Sequence, residues 1–327
     1  MSALRILGGV DVDGQGLSVG IDNGVQGFAP PDSPYIDATG LTVVPGFIDI
    51  QVNGAFGMDF THDPDTIWEV GRRLPETGVT SFCPTIITSP HHRIVAAQHA
   101  LAMRPDGYVG AEPIGLHIEG PHISESRRGT HPVEHLVPPA DSMIETDQVA
   151  IVTLAPELPG AIDLITSLVH RGVVVSIGHS AATANEARAA LDAGATLGTH
   201  LFNAMPPITA REPGIAGVLL ADKRAFFGVI VDGVHHDPAA VSLAWRAAPE
   251  RFVLVTDSMA AAAMPDGEYR IGEVDVTVAE RAVRNSEGNL AGSVSTMDHG
   301  LAVLMEACDV GLGDAIAAAT FNPSEAI

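Results

Sequence analysis

The sequence predicts an α/β protein built on a (β/α)8 barrel and preceded by a small β unit. Eight short apolar segments alternate with helix-like segments from about residue 45 onward. Most are apolar at successive positions, as expected for parallel strands covered on both faces. Ionisable residues follow several of them, as at the carboxyl-terminal mouth of such a barrel. A doubly wound open sheet is the alternative, but the sequence contains neither of the glycine-rich nucleotide-binding motifs typical of that class.

The elements follow this plan in order. Residues 1–44 alternate short apolar runs with Gly, Asp and Pro turns, which predicts a small β domain, and residues 45–327 carry the barrel pattern. A helix is predicted in SAATANEARAALDAG, which begins near a Ser/Thr cap and ends at Gly194. A stretch near 267–292 alternates like an inserted antiparallel hairpin. The eight predicted strands are GFIDI, TSFCPTI, PIGLHI, IVTLA, VVVSI, ATLGT, FFGVIV and FVLVT.

Composition excludes several classes of function. The chain has 327 residues, and 40 acidic residues against 17 basic ones give a net charge of −23. Nucleic acids and anionic membrane surfaces need a basic footprint, so neither is an expected partner. No run of 18 apolar residues occurs, and the N-terminus lacks the pattern of a signal peptide. With only Cys83 and Cys308 available, no disulfide framework is expected, and we predict a cytoplasmic protein.

Ionisable residues close four of the predicted strands. Glu119 follows PIGLHI, His179 follows VVVSI, His200 follows ATLGT and Asp257 follows FVLVT. Because these strand ends converge in a barrel, one carboxylate and two imidazoles could hold a catalytic divalent metal. Asp257 would then be a spare carboxylate suited to act as a general base. Each residue taken alone also fits a structural role, as a loop histidine or as an aspartate capping the next helix.

Three loop segments add weaker candidates. His131 in RRGTHP could reach over the site, and one of His235 and His236 in VDGVHHDP is expected to face the mouth. Arg211 lies in PPITAREPG, where prolines stiffen the loop. An arginine held in this way suits an anion anchor, although a solvated loop charge fits the sequence equally well.

Together the motifs resemble the N-acetylglucosamine-6-phosphate deacetylase family of the amidohydrolase superfamily. The resemblance implies an amidohydrolase-type barrel with a small β-sandwich domain. Family members usually continue past NPSEAI with strands that complete this domain, so we expect its C-terminal part to be missing here. The matching stretches run in family order to the end of the sequence: PGFIDIQVNG, GLHIEGPHI, GTHP, SIGHSAATA, THLFNAMPPITAREPG, VDGVHHDP, LVTDSMAAAAMPDG and LAGSVSTMDHG.

The resemblance also implies roles for individual residues. It implies a metal held by Glu119, His179 and His200, with Asp257 and His131 as catalytic residues. It further implies a homodimer in which Arg211 reaches the phosphate of a substrate in the neighbouring subunit. The implied substrate-binding residues are Thr130, Asn203, Ala204, Arg211, His235, Leu290, Ala291, Gly292 and Ser293.

The first predicted strand departs from most of the superfamily. Its end reads Gln51-x-Asn53, where a His-x-His pair usually helps to hold a second metal. We therefore expect one divalent ion per chain, with Zn²⁺ first and Fe²⁺, Co²⁺ or Mn²⁺ as alternatives. Gln51 could still hydrogen-bond to a water on that ion.

The implied reaction is hydrolysis of N-acetyl-D-glucosamine 6-phosphate to D-glucosamine 6-phosphate and acetate, in amino-sugar catabolism and cell-wall recycling. Hydrolysis of N-acetylgalactosamine 6-phosphate is an alternative that the sequence does not separate from it. A cyclic-amide or nucleobase amidohydrolase is a more distant alternative, since such enzymes would be expected to keep His-x-His and a metal-bridging lysine. The one lysine here is Lys223, away from the predicted strand ends. A non-catalytic binding protein on the same scaffold is the alternative from another class.

Overall fold

The computed structural model describes residues 3–22 and 25–327 and contains the predicted barrel. Residues 1–2 and 23–24, which belong to the predicted N-terminal β unit, lie outside the described residues. An N-terminal sheet has the strand order β3-β2-β1-β4. Its strands are β1 (Leu4–Val10), β2 (Gly16–Asp22), β3 (Val25–Gln26) and β4 (Tyr35–Asp37). The division into domains at residues 44 and 45 stays a prediction.

All eight predicted barrel strands are confirmed. They pair in parallel in the order β5-β8-β10-β11-β12-β13-β14-β15, while β6 and β7 form a separate two-stranded ribbon and β9 pairs with β8. The strands are β5 (Phe47–Val52), β6 (Gly54–Ala55), β7 (Met58–Asp59), β8 (Val79–Ile87), β9 (Glu112–Pro113), β10 (Leu116–Glu119), β11 (Val149–Leu154), β12 (Val174–Ile177), β13 (Leu197–Gly198), β14 (Phe226–Ile230) and β15 (Phe252–Val255).

The first and last barrel strands meet at their carboxyl ends. The backbone N–H of Asp257 donates to the carbonyl of Gln51 at 2.9 Å, and Val52 forms a parallel bridge with Ser258. The two edge strands of this sheet, β5 and β15, are therefore joined next to the predicted site. This junction nearly closes the barrel, and the residues that follow β5 and β15 become neighbours.

Helices cover the outside of the barrel. On α6, Trp245 packs edge-on against Phe252 of β15 with ring centroids 5.4 Å apart. The predicted helix start in SAATANEARAALDAG is confirmed, because Thr183 and Glu186 form a reciprocal capping box before α4. The helices are α1 (Ile67–Arg73), α2 (His91–Ala102), α3 (Ala161–His170), α4 (Ala184–Asp192), α5 (Gly214–Ala221), α6 (Pro238–Ala247), α7 (Met297–Cys308), α8 (Leu312–Ala319) and α9 (Phe321–Ala326). Within the described ranges, no helix has the length and apolar character needed to cross a bilayer.

The insertion after the barrel has three antiparallel strands where the sequence pattern predicts a hairpin. These strands are β16 (Gly267–Ile271), β17 (Val274–Ala279) and β18 (Ala282–Asn285). The turn into β18 is made by Glu280 and Arg281, both left-handed with φ of 52° and 68°. Because neither is Gly or Asn, the sequence carries no ordinary signal for this turn.

Candidate active site

Three predicted metal ligands come together at the carboxyl-terminal mouth of the barrel. Nε2 of His200 lies 3.0 Å from Oε1 of Glu119 and 3.0 Å from Nε2 of His179, and the third pair is 3.2 Å apart. Donor atoms of a tetrahedral metal site with bonds of about 2.0–2.1 Å lie roughly 3.3 Å from one another. The three side chains are buried, so their polar ends face each other away from bulk water.

The hydrogen bond made by His179 leaves one of its lone pairs facing the cluster. The Nδ1–H of His179 donates to the carbonyl oxygen of Arg127 at 2.9 Å, which leaves Nε2 as a lone-pair donor toward Glu119. Nδ1 of His200 is buried without a hydrogen-bond partner among the described residues. A carboxylate oxygen and two imidazole nitrogens that converge in this way fit a bound cation.

His131 lies beside the cluster in a different chemical state. It also brings a ligand atom within 4.8 Å of Glu119 and His179. However, the backbone N–H of Thr88 donates to its Nδ1 at 3.3 Å, and the Thr88 hydroxyl lies 2.8 Å from the same atom. Because Nδ1 accepts, the ring proton is on Nε2, which is then a donor and not a ligand. Burial, followed by the nearby His179, lowers the pKa of His131 to about 3, so the ring is neutral.

Asp257 is held by two amides from β5. Asn53 donates to Oδ1 of Asp257 at 2.7 Å, and Gln51 donates to the same oxygen at 3.1 Å and to Glu119 at 3.2 Å. Burial, and then the charge of Glu119, raises the pKa of Asp257 to about 8. Burial alone would raise the pKa of Glu119, but the adjacent His179 and His200 side chains outweigh this effect and hold that pKa well below its usual range.

The chain turns sharply where the strands end in this site. His179, His200 and Asp257 all have positive φ, at 46°, 30° and 47°. Left-handed backbone is uncommon outside Gly, and it concentrates at sites where surrounding structure holds a side chain in a required position. These three turns direct the strand-end side chains into one space.

A cavity of about 470 Å³ opens in front of the cluster. All five residues predicted to hold the metal or take part in catalysis line it. Of the nine predicted substrate-binding residues, seven line it: Thr130, Asn203, Ala204, His235, Leu290, Ala291 and Gly292. Nδ1 of His235 pairs with Oδ2 of Asp232 at 2.7 Å, while His236 is buried and bonded to backbone carbonyls.

Three predicted site residues do not line this cavity. Ser293 is buried, and its hydroxyl donates to the carbonyl of Thr256 at 2.6 Å. Gln51 lies behind Glu119 and Asp257 as their hydrogen-bond donor. Arg211 is exposed on its loop and does not line the cavity of its own chain.

Comparison with known proteins identifies the family of this chain. The amidohydrolase family model matches residues 42–327. This chain belongs to the amidohydrolase family. It is 39 % identical over 318 residues to the N-acetylglucosamine-6-phosphate deacetylase of Danio rerio, covering 92 % of this chain and 78 % of that relative. It is also 39 % identical over 288 residues to an N-acetylgalactosamine-6-phosphate deacetylase of Escherichia coli O157:H7, covering 86 % and 76 %.

A solved amidohydrolase structure matches the fold along almost the whole chain. It is a variant of N-acetyl-D-glucosamine-6-phosphate deacetylase from Mycobacterium smegmatis in complex with N-acetyl-D-glucosamine-6-phosphate. The TM-score is 0.85 at 32 % identity, covering 99 % of this chain and 90 % of that one. The predicted fold class is thereby confirmed.

Sequence reasoning missed several residues of this amidohydrolase site. Thr88, which sets the tautomer of His131, directly follows β8 and could have been found by the strand-end rule that found Asp257. Arg127 and Arg128 line the cavity next to Thr130, and their signal was a basic pair in an acidic chain. Glu287 and Asn289 reach the cavity from the insertion, and no sequence pattern predicts that contact.

Proposed function

We propose that this amidohydrolase hydrolyses the acetamide of N-acetyl-D-glucosamine 6-phosphate to D-glucosamine 6-phosphate and acetate. The observation that carries the proposal is the convergence of Glu119, His179 and His200 beside Asp257 at the floor of the cavity. The relatives named for this reaction and the solved complex with this sugar phosphate support the choice of substrate. The reaction would serve amino-sugar catabolism and cell-wall recycling.

One divalent ion per chain would be held by Glu119, His179 and His200, with Zn²⁺ as the first candidate and Fe²⁺, Co²⁺ or Mn²⁺ as alternatives. When bound, such an ion lowers the pKa of a coordinated water and polarises the acetyl carbonyl. Gln51 would hold Glu119 in place and could donate to that water. His131 would stay outside the ligand set, because its Nε2 carries the ring proton.

Side chains of the protein would carry out proton transfer and stabilise the developing negative charge. A bound cation would favour the ionised form of Asp257. That carboxylate would accept a proton from the attacking water and deliver it to the departing amine, so that the C–N bond breaks with an amine as leaving group. The Nε2–H of His131 donates to the carbonyl oxygen as negative charge develops there. Because Thr88 fixes Nδ1 as an acceptor, this donor is already oriented before the substrate arrives.

The remaining cavity residues would position the sugar. Asn203, Ala204 and His235 lie on the strand-end loops beside the cluster, and Asp232 orients the His235 ring. Arg211 would anchor the phosphate of a substrate bound in the partner subunit of a homodimer, which is supported by its exposure and by its absence from the lining of its own cavity. The further predicted contacts come from Thr130 and from the loop that contains Leu290, Ala291, Gly292 and Ser293. Buried free thiols at Cys83 and Cys308 support a cytoplasmic location.

The test is stoichiometric release of acetate and free amine from N-acetyl-D-glucosamine 6-phosphate by the purified, metal-containing protein. N-acetyl-D-galactosamine 6-phosphate is measured in parallel, because one relative is named for that reaction. A higher kcat/KM on the galacto sugar would make that sugar phosphate the substrate. Release of no acetate from either sugar would overturn the proposal, and turnover of a cyclic amide such as dihydroorotate would replace it.

A further inference from the structure

The cavity presents an electrostatic problem for a phosphorylated sugar. Four carboxylates line it, those of Glu119, Glu125, Asp257 and Glu287, and the whole chain carries a net charge of −23. A phosphate group that approaches this surface is repelled unless fixed cations lie close to its position. Arg211, the predicted anchor, is not part of the wall of this cavity.

Within the described ranges, the arginines and lysines that line the cavity are Arg127 and Arg128. The guanidinium of Arg128 already has an ion-pair partner and a hydrogen-bond acceptor. Its Nη2 lies 3.2 and 3.3 Å from the two carboxylate oxygens of Glu287, and its Nη1 donates to the carbonyl of His131 at 3.1 Å. This pair joins the loop of residues 125–131 to the segment that follows β18, and both of its residues line the cavity.

Arg127 is in a different situation. It is half-buried, and the 3₁₀ turn of Glu125–Arg127 fixes its backbone, with the N–H donating to Ser124 at 2.9 Å. Its carbonyl accepts from Nδ1 of His179, so the residue is tied directly to a candidate metal ligand. Among the residues that the structure describes, its guanidinium has no ion pair and no hydrogen-bond acceptor.

We propose that Arg127 is a same-subunit contact for the phosphate of the substrate, an inference that rests on the proposed function. Arg127 lines the cavity, and its guanidinium has no carboxylate partner among the described residues, so it can bind a phosphate oxygen without first breaking an existing ion pair. Glu287 competes for the neighbouring cation Arg128. The phosphate would therefore be bound by Arg127 from its own subunit in addition to any cation that a second subunit supplies.

The test compares Arg127→Ala with Arg246→Ala, which removes the same charge from an exposed position on α6. We expect Arg127→Ala to raise KM for the 6-phosphate sugar by roughly 10-fold or more, with kcat and bound metal nearly unchanged. Arg246→Ala should leave KM within about 2-fold. Activity on unphosphorylated N-acetylglucosamine should be the same in all three proteins. Arg127→Lys should recover part of the loss, because it restores the charge without the planar fork.

A second measurement separates this inference from the proposed reaction. Binding of inorganic phosphate to the metal-containing protein is followed by calorimetry, which does not depend on any turnover. We expect Arg127→Ala to weaken it by about 10-fold and Glu287→Gln to strengthen it, since the competing carboxylate is gone. If the wild-type protein releases no acetate but phosphate binding still depends on Arg127, the reaction is wrong and the anion site stands. If Arg127→Ala leaves phosphate affinity unchanged, or lowers activity equally on both sugars, the inference is overturned.

Discussion

Asn53 donates its side-chain amide to Oδ1 of Asp257 at 2.7 Å, which links the end of the first barrel strand to the end of the last. Gln51, two residues earlier, donates to the same oxygen and to Glu119. Both residues of the Gln-x-Asn pair therefore act as hydrogen-bond donors to carboxylates. An amide N–H that faces a carboxylate stabilises its charge and offers no lone pair to a metal.

The first prediction follows from this arrangement. Protein stripped with a chelator and reconstituted with Zn²⁺ should hold about one strongly bound ion per chain by elemental analysis. His200→Ala should lose that ion because it removes one of three converging donors, whereas His92→Ala, an exposed histidine on α2, should keep it. Two tightly bound ions per chain would show that Gln51 and Asn53 do not prevent a second site.

The second prediction concerns the proton-transfer role of Asp257. Asp257→Asn keeps the shape of the side chain and removes the base, so turnover should fall by about 10²–10⁴-fold. Metal content should stay close to that of the wild type, and Asp163→Asn, an exposed position on α3, should be fully active. Loss of metal together with activity would mean that Asp257 is a ligand, and the assignment of roles would be wrong.

The sequence was most informative about the barrel and its mouth. Continuous apolar segments predicted the strands, and because parallel strands end at one edge, Glu119, His179, His200 and Asp257 could be grouped from the sequence alone. The bond from Thr88 to His131 joins two segments far apart in sequence, and no periodicity reports such a contact.

The parts that sequence reasoning did not reach have physical causes as well. The third strand of the insertion follows a turn built by Glu280 and Arg281, whose left-handed backbone is held by the fold and not by a turn-forming residue type. The exposed Arg211 was open to two interpretations, because the sequence around it fits a solvated loop charge as well as an anion anchor.

A third prediction uses a buried carboxyl away from the metal cluster. Burial raises the pKa of Asp49 from 3.8 to about 7, although the Thr256 hydroxyl donates to it at 2.6 Å. The folded state therefore binds this proton more tightly than the unfolded chain does. The stability that this bound proton contributes is fully present below about pH 4. As the pH rises toward 7, the free energy of unfolding falls by up to about 4 kcal/mol.

Asp49→Asn is neutral at every pH and should remove this dependence. The difference in the free energy of unfolding between Asp49→Asn and the wild type, measured by denaturant titration, should grow in favour of the variant from pH 4 to pH 8. Carboxyl groups that do not interact with Asp49 cancel in that difference, whereas Asp257, whose pKa the charge of Asp49 raises, does not. A difference that stays constant across this range would show that Asp49 is ionised in the folded protein at all these values.

A fourth prediction concerns the attachment of the insertion to the barrel. Asp59 accepts from the backbone N–H of Gly272 and from that of His62, and the neighbouring Ile271 lines the cavity. Asp59→Ala should destabilise the protein by about 1–3 kcal/mol through the unpaired backbone donors and should raise KM. Asp275→Ala, which removes an exposed partner of Arg270 on the same insertion, serves as the control. Equal KM values in the two variants would mean that the attachment does not shape the cavity.

The last prediction tests Arg211 as an anchor that acts across a dimer. Arg211→Ala should lower kcat/KM on the 6-phosphate sugar by roughly 10–100-fold, as expected for the loss of about 1.5–3 kcal/mol of charged hydrogen bonding. Activity on unphosphorylated N-acetylglucosamine should barely change, because that sugar offers no phosphate to bind. Equal losses on both sugars would assign the loop to folding.

Mixing experiments then separate the two arginines. A dimer of one Asp257→Asn chain and one Arg211→Ala chain contains one cavity with both Asp257 and a partner that carries Arg211, so activity should partly return. A dimer of Asp257→Asn and Arg127→Ala chains contains no cavity with both Asp257 and Arg127, because these two residues line the same cavity of one chain. Mixing should therefore restore nothing in the second case. Chemical cross-linking would show that the mixtures contain dimers. Recovery of activity with Arg127→Ala would assign Arg127 to the partner's cavity. Failure to recover activity with Arg211→Ala would assign Arg211 to the cavity of its own chain.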